Sequence, residues 1–196
     1  MQLSDYKLGG ESVFVIAEIG NNHNGSVKLA LEMVNAAHEA GANCVKFQMR
    51  NMSSVYRKKS LNKQGEDLGT EYVLDLLERF QLSQHEHKQV AEYCDQKGIL
   101  YMCTPWDSES VVALEALAVK AYKVASADLT NLPLIERLIA TKKPLILSTG
   151  MSSVEEIQIT TDFLNSRDAE FALLHCNSTY PAPFHDINLN WIKKLK

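Results

Sequence analysis

Six short runs of β-branched and apolar residues recur along the chain: Val13 to Gly20, Cys44 to Met49, Leu100 to Pro105, Ala121 to Ser126, Pro144 to Thr149 and Phe171 to Cys176. Their length and near-continuous apolarity predict strands buried on both faces. Helical periodicity fills the intervals. It is clearest over Ser26 to Ala40, where Val27, Ala30, Leu31, Val34 and Ala37 mark one face and Gly41 supplies the stop. Ser83-x-x-Glu86 is a capping-box pattern ahead of Val90, Ala91 and Cys94, with Gly98 as its stop. Ser152-x-x-Glu155 or Ser153-x-x-Glu156 opens another helix, and Pro133 falls in the first turn of a helix over Leu134 to Thr141. The alternation βαβα predicts a parallel sheet with helical crossovers, closed as a barrel or open and doubly wound. No composition break divides the chain. One long polar connection, Arg50 to Thr70, carries Arg57, Lys58, Lys59 and Lys63, with a helix over Glu71 to Phe80 beside it. Long loops of this kind are commonly lids or binding loops.

The polar interruptions of these runs carry the chemistry. Glu18, Lys46 and Lys123 sit within strands, where an unpaired charge is costly. At the carboxyl ends follow Asn21, Asn22 and His23, then Gln48, Thr104, Ser126 with Asp128, Ser148 with Thr149, and His175 with Asn177, Ser178 and Tyr180. In parallel α/β folds that end of the sheet holds the active site, so the recurrence points to an enzyme. Neither G-x-G-x-x-G nor a phosphate loop is present, which removes the main signature of an open nucleotide-binding sheet and favours a barrel. Lys46 and Lys123 with Thr104, Ser126 and Ser148 make a cradle for a small polyanion. Two plainer readings stand beside it: Lys46 and Glu18 form a buried ion pair and nothing more, or Lys123 is a Schiff-base lysine.

Composition narrows the partners. The apolar share of 45% and charged share of 22% are ordinary for a globular domain. The formal charge of −4, with lysine and arginine scattered, gives no footprint for nucleic acid or an anionic membrane. The opening MQLSDYKLGGES has no apolar core of signal-peptide length and no run is long enough to span a bilayer, so a cytoplasmic protein is expected. Cys44, Cys94, Cys103 and Cys176 form no C-x-x-C pair and read as reduced packing residues. His85 and His87 read as surface residues at a helix start. His23 and His175, at strand ends, read as hydrogen-bonded structural residues before metal ligands.

Together AEIGNNHNG (Ala17 to Gly25), VKFQ (Val45 to Gln48), CTPWD (Cys103 to Asp107), YKVASADLTNLPL (Tyr122 to Leu134), KPLILSTGMSS (Lys143 to Ser153) and LLHCNSTYPAP (Leu173 to Pro183) resemble the N-terminal barrel of the N-acetylneuraminate (sialic acid, nonulosonate) synthase family. The resemblance implies an α/β fold of the parallel (β/α)8 TIM-barrel type and a condensation of phosphoenolpyruvate with an N-acylated amino sugar of the N-acetylmannosamine type. On the matching motifs, Lys46, Thr104, Lys123, Ser126, Ser148 and Ser178 would hold phosphoenolpyruvate. Gln48 and Tyr180 would contact the sugar. Glu18 would lie beside the reacting carbons, stabilising a cation and orienting water. Asp128 is carried as a second catalytic carboxylate, at a place where many relatives have glutamate, one methylene and about 1.5 Å longer. Ser178 stands where some sialic acid synthases have asparagine.

The resemblance also implies a divalent metal, manganese or magnesium, and a homodimer of the full-length protein. Its two metal-binding histidines belong to barrel strands that would follow Lys196, ahead of a small antifreeze-like domain. Residues 1–196 are therefore expected to supply six of eight barrel strands, and the chain reads as part of a longer polypeptide. Two other functions compete: a synthase of 3-deoxy sugar acids acting on a phosphorylated aldose, and a non-catalytic sugar-phosphate binding or scaffold relative in polysaccharide assembly.

Overall fold

Two of the expected strands, over Cys44 to Met49 and Leu100 to Pro105, form residue for residue in the computed structural model, which describes residues 1–56 and 74–196. A short antiparallel pair that hydropathy did not reveal opens the chain, β1 (Gln2–Leu3) with β2 (Tyr6–Lys7). The chain divides into two compact units, Glu11–Val119 and Met1–Gly10 with Lys120–Lys196.

In the Glu11–Val119 unit, β3 (Ile16–Gly20), β4 (Cys44–Met49) and β5 (Leu100–Pro105) pair in parallel in that order. Helix α1 (Val27–Glu39) starts where Ser26 Oγ accepts from the Leu29 N–H and ends before Gly41 at φ +81°. After α2 (Met52–Val55) and α3 (Leu74–Arg79), helix α4 (Gln84–Lys97) carries the full capping box of Ser83 and Glu86, and left-handed Gly98 stops it. The helix read over Glu71 to Phe80 is thus seen as α3. Residues 71–73, and with them Arg57, Lys58, Lys59 and Lys63, lie outside the described residues. Helix α5 (Ser108–Ala116) was not legible in the sequence; Asp107 caps it through the Ser110 N–H at 2.8 Å.

The first strand starts later than its hydropathy suggests. Val13 and Val15 are 83% and 49% exposed, and of β3 only Ile19 is buried, because β3 is the edge strand of its sheet. The expectation of burial on both faces therefore fails for this strand.

In the other unit, β6 (Tyr122–Val124), β7 (Leu145–Ser148) and β8 (Phe171–Leu174) pair in parallel. The strand read to Ser126 ends at Val124, and Ser126–Asp128 turns into one 3-10 turn. Helix α6 (Leu132–Ile139) is capped by Asn131 with Pro133 in its first turn. Helix α7 (Val154–Asn165) is opened by Ser153 with Glu156, not by Ser152.

Strand alternation sorts each sheet into two faces. Register places Glu18 opposite Lys46, Lys46 opposite Met102 and Gln48 opposite Thr104, so these side chains share one face. Val45, Phe47, Tyr101 and Cys103 occupy the other, all buried. There the Phe47 and Tyr101 rings stack at 5.6 Å, and His87 on α4 meets Phe47 edge-on and bonds the Tyr101 hydroxyl at 2.8 Å. His87 is therefore a core residue, 1% exposed, against the expectation of a surface position; His85 alone is exposed. In the second unit Lys123 lies opposite Ile146 and Ser148 opposite Leu174, which puts Lys123 and Ser148 on one face and Tyr122, Val124, Leu145 and Leu147 on the other.

Candidate active site

Two clusters of the expected residues form, one in each unit. In the Glu11–Val119 unit the Lys46 Nζ lies 2.7 Å from Glu18 Oε2; the lysine side chain is 7% exposed and the carboxylate 56%. Thr104 is buried beside Gln48 in register. The Gln48 carboxamide oxygen accepts from Arg50 at 2.5 Å, a partner that the sequence reading missed although Gln48 and Arg50 are spaced as same-face neighbours on a strand. The chain bulges between Glu18 and Gly20, and Gly20 takes φ +55°. A positive φ favours glycine, and a Cβ there would come within 3.4 Å of Gln48 Nε2.

His23, at the end of the same strand, is 1% exposed and accepts the Gly25 N–H on Nδ1 at 3.1 Å. Burial lowers its pKa, as it lowers that of His87, which is brought down to about 4. Both rings are neutral structural groups at physiological pH. The turn that His23 supports needs Gly25 at φ +78°, since a Cβ would meet the Arg79 carbonyl oxygen at 2.6 Å.

In the second unit the Lys123 Nζ donates to Ser148 Oγ at 2.5 Å and to the Val124 carbonyl at 2.8 Å; lysine and serine are 5% and 7% exposed. The Cys176 thiol reaches the same Ser148 oxygen at 3.2 Å. Ser126 Oγ accepts the Gly150 N–H at 3.1 Å, tying the end of β6 to the loop after β7. Gly150 has no room for a side chain: a Cβ would lie 2.9 Å from Ser178 Oγ and 3.1 Å from both Cys176 Cβ and Cys176 O. Of the predicted residues, Lys123 and Ser148 are thus bonded to each other, and Ser126 and Ser178 both lie against Gly150. Asp128 Oδ1 accepts from Asn131 Nδ2 at 3.0 Å. Tyr180 is 90% exposed. His175 Nε2 donates to the Ile187 carbonyl oxygen at 2.6 Å.

Burial pushes the thiols of Cys94 and Cys103 up to about 12 and that of Cys44 higher still, so these three are inert packing groups. Among the described residues no group of three or more His, Cys, Asp or Glu side chains could hold a metal ion. The metal implied by the family resemblance therefore has no ligand set among them. No helix among the described residues is long and apolar enough to cross a membrane.

The chain is 40% identical over its whole length to an uncharacterized protein of Methanocaldococcus jannaschii, covering 56% of that protein. It is 36% identical to the N,N'-diacetyllegionaminic acid synthase of Legionella pneumophila, over 93% of this chain and 53% of the relative. A crystal structure of an N-acetylneuraminic acid (sialic acid) synthetase from Leptospira borgpetersenii, in complex with citrate, aligns with all of this chain and 65% of its own at a TM-score of 0.85 and 32% identity. That likeness shows the α/β barrel-type fold. The chain spans little more than half the length of the curated relatives it matches. The NeuB family profile matches residues 33–196, and the chain belongs to the NeuB family.

Proposed function

We propose that this chain carries the phosphoenolpyruvate-binding part of a nonulosonic acid synthase. The observation that carries the reading is the pair of buried lysines, Lys46 and Lys123, each at 7% exposure or less and each presented with hydroxyl groups on the polar face of a parallel sheet. Lys46 is held by Glu18 and Lys123 by Ser148 and the Val124 carbonyl, and each ammonium is a compact point charge suited to a small polyanion. Membership of the family whose relatives include a legionaminic acid synthase supports the choice of that anion.

In this reading Lys46, Thr104, Lys123, Ser126, Ser148 and Ser178 bind the phosphate and carboxylate of phosphoenolpyruvate. Gln48 and Tyr180 hold an open-chain N-acylated amino sugar. The methylene carbon of phosphoenolpyruvate bonds to the sugar's aldehyde carbon, whose oxygen takes a proton and becomes a hydroxyl. Water adds to the cationic C2, and loss of phosphate from that carbon leaves the ketone. Glu18 stabilises the cation and takes the proton of the attacking water. Asp128, whose Oδ1 accepts from Asn131, is proposed as a second catalytic carboxylate. A divalent metal and a homodimer of the full-length protein, acting in the cytoplasm, complete the proposal.

The test is phosphoenolpyruvate binding by the full-length polypeptide and its Lys46→Met and Lys123→Met variants. Loss of binding in both is expected, and normal binding in both overturns the cradle. A screen of N-acetylmannosamine, its 6-phosphate, 2,4-diacetamido sugars and arabinose 5-phosphate separates the nonulosonic acid class from a 3-deoxy sugar acid synthase.

A further inference from the structure

A buried guanidinium stands directly behind the proposed sugar contact. Arg50 is 7% exposed, and among the described residues no carboxylate lies within ion-pair distance of it. Its partners among the described residues are neutral: Nη2 donates to Gln48 Oε1 at 2.5 Å, Nη1 to the Tyr56 hydroxyl at 3.2 Å, and the guanidinium carbon lies 4.5 Å from the centre of the Trp106 ring. Stacking and two hydrogen bonds hold the planar fork in one orientation.

That orientation has a chemical consequence for Gln48. A guanidinium has donors only, so the Gln48 atom it touches must be the carboxamide oxygen. The amide nitrogen then points to the opposite side, toward Gly20 at the bulged end of β3, where a Cβ would lie 3.4 Å from it. A free glutamine can flip and present either an acceptor or a donor. This one cannot.

Resting on the function proposed above, we infer that Arg50 is a positioning residue that commits Gln48 to donating a hydrogen bond, so that the half-buried amide N–H₂ selects an acceptor oxygen on the sugar. Arg50 acts through Gln48 and does not touch phosphoenolpyruvate. The specificity this gives is strong because an unpaired buried donor penalises a sugar that lacks the acceptor.

The experiment measures steady-state constants for both substrates with the full-length protein. Wild-type turnover is read first, since its absence defeats the proposed function itself. Given turnover, R50M is expected to raise the sugar KM about 10–100-fold, the range of one or two charge-assisted contacts, with the phosphoenolpyruvate KM unchanged. Q48E keeps an acceptor for Arg50 but loses the donor; it should match Q48A in sugar KM while melting no lower than wild type. R50M/Q48A should be no worse than Q48A alone, and R50K should recover part of the loss. A sugar KM within twofold of wild type in R50M, or losses that add in the double variant, overturns the role of Arg50. If R50M does not fold, Q48E decides: a wild-type sugar KM there shows that no donor is required.

Discussion

Replacing Glu18 by glutamine separates the two jobs that its carboxylate performs. In the absence of ligand it is the counter-charge of Lys46, at 2.7 Å, with the lysine 7% and the carboxylate 56% exposed. Removing one partner of a fully buried pair costs about 3–5 kcal/mol, whereas exposed pairs contribute at most about 1 kcal/mol. A pair with one buried and one half-exposed member falls between, at about 1–2 kcal/mol, which for a domain of this size lowers the Tm by about 2–8 °C. Phosphoenolpyruvate brings its own negative charge to Lys46, so saturating ligand should restore most of that loss. Removing a like charge from the site should also tighten phosphoenolpyruvate binding about 5-fold, equivalent to about 1 kcal/mol. Turnover should move the opposite way and fall about 10²–10⁴-fold, the range for losing a positioned acid–base group. Calorimetric titration, melting with and without phosphoenolpyruvate, and kcat on the full-length protein read all three. Weakened phosphoenolpyruvate binding in E18Q, or unchanged kcat, would refute the reasoning.

Gly150→Ala should lower the Tm by about 2–12 °C, from about 1–3 kcal/mol of overpacking. The Cβ intrudes on Ser178 Oγ at 2.9 Å and on Cys176, so the phosphoenolpyruvate KM should rise while the sugar KM holds; a wild-type melt and KM would contradict the contact. Gly25→Ala combines φ +78° with a Cβ 2.6 Å from a backbone oxygen, and should cost several kcal/mol in a denaturant titration. His87, with a folded pKa lowered to about 4, binds its proton more readily when unfolded. Its contribution leaves stability unchanged above pH 6.5 and removes up to about 3 kcal/mol as the pH falls from 6.5 to 4. His87→Leu should flatten the fall in Tm over that window, and an unaltered slope would show that His87 does not set it.

Where residues bury on both faces, the sequence was sufficient. Strands β4 and β5 appear at the residues their apolar runs mark, and the capping boxes act at Ser83 and at Ser153, one of the two spacings open for that helix. Hydropathy failed where tertiary position decided the outcome. Val13 and Val15 are apolar yet exposed beside an edge strand, and β6 stops at Val124 because Ser126 turns to meet the Gly150 N–H. Helix α5 escaped notice because its run Val111–Val112–Ala113–Leu114 shows no clean stripe; Val112 is exposed among buried neighbours. His87 was misplaced because only the Tyr101 hydroxyl, 14 residues away, makes its burial tolerable. The site residues were legible as chemistry, two lysines and three hydroxyls at strand ends. The contact of Arg50 on Gln48 was available in their i, i+2 spacing and was missed, whereas Gly150 against Ser126 and Ser178 depends on three-dimensional proximity that no motif spells.

The central claim is tested most directly by following phosphate release from phosphoenolpyruvate by the full-length protein, with and without the N-acylated amino sugars, and weighing the product by mass spectrometry. The account predicts release that requires both substrates, one phosphate per sugar consumed, and a product equal in mass to phosphoenolpyruvate plus sugar plus water less phosphoric acid. Phosphate released at the same rate without sugar, or no consumption of either substrate with any sugar of that class, would contradict it.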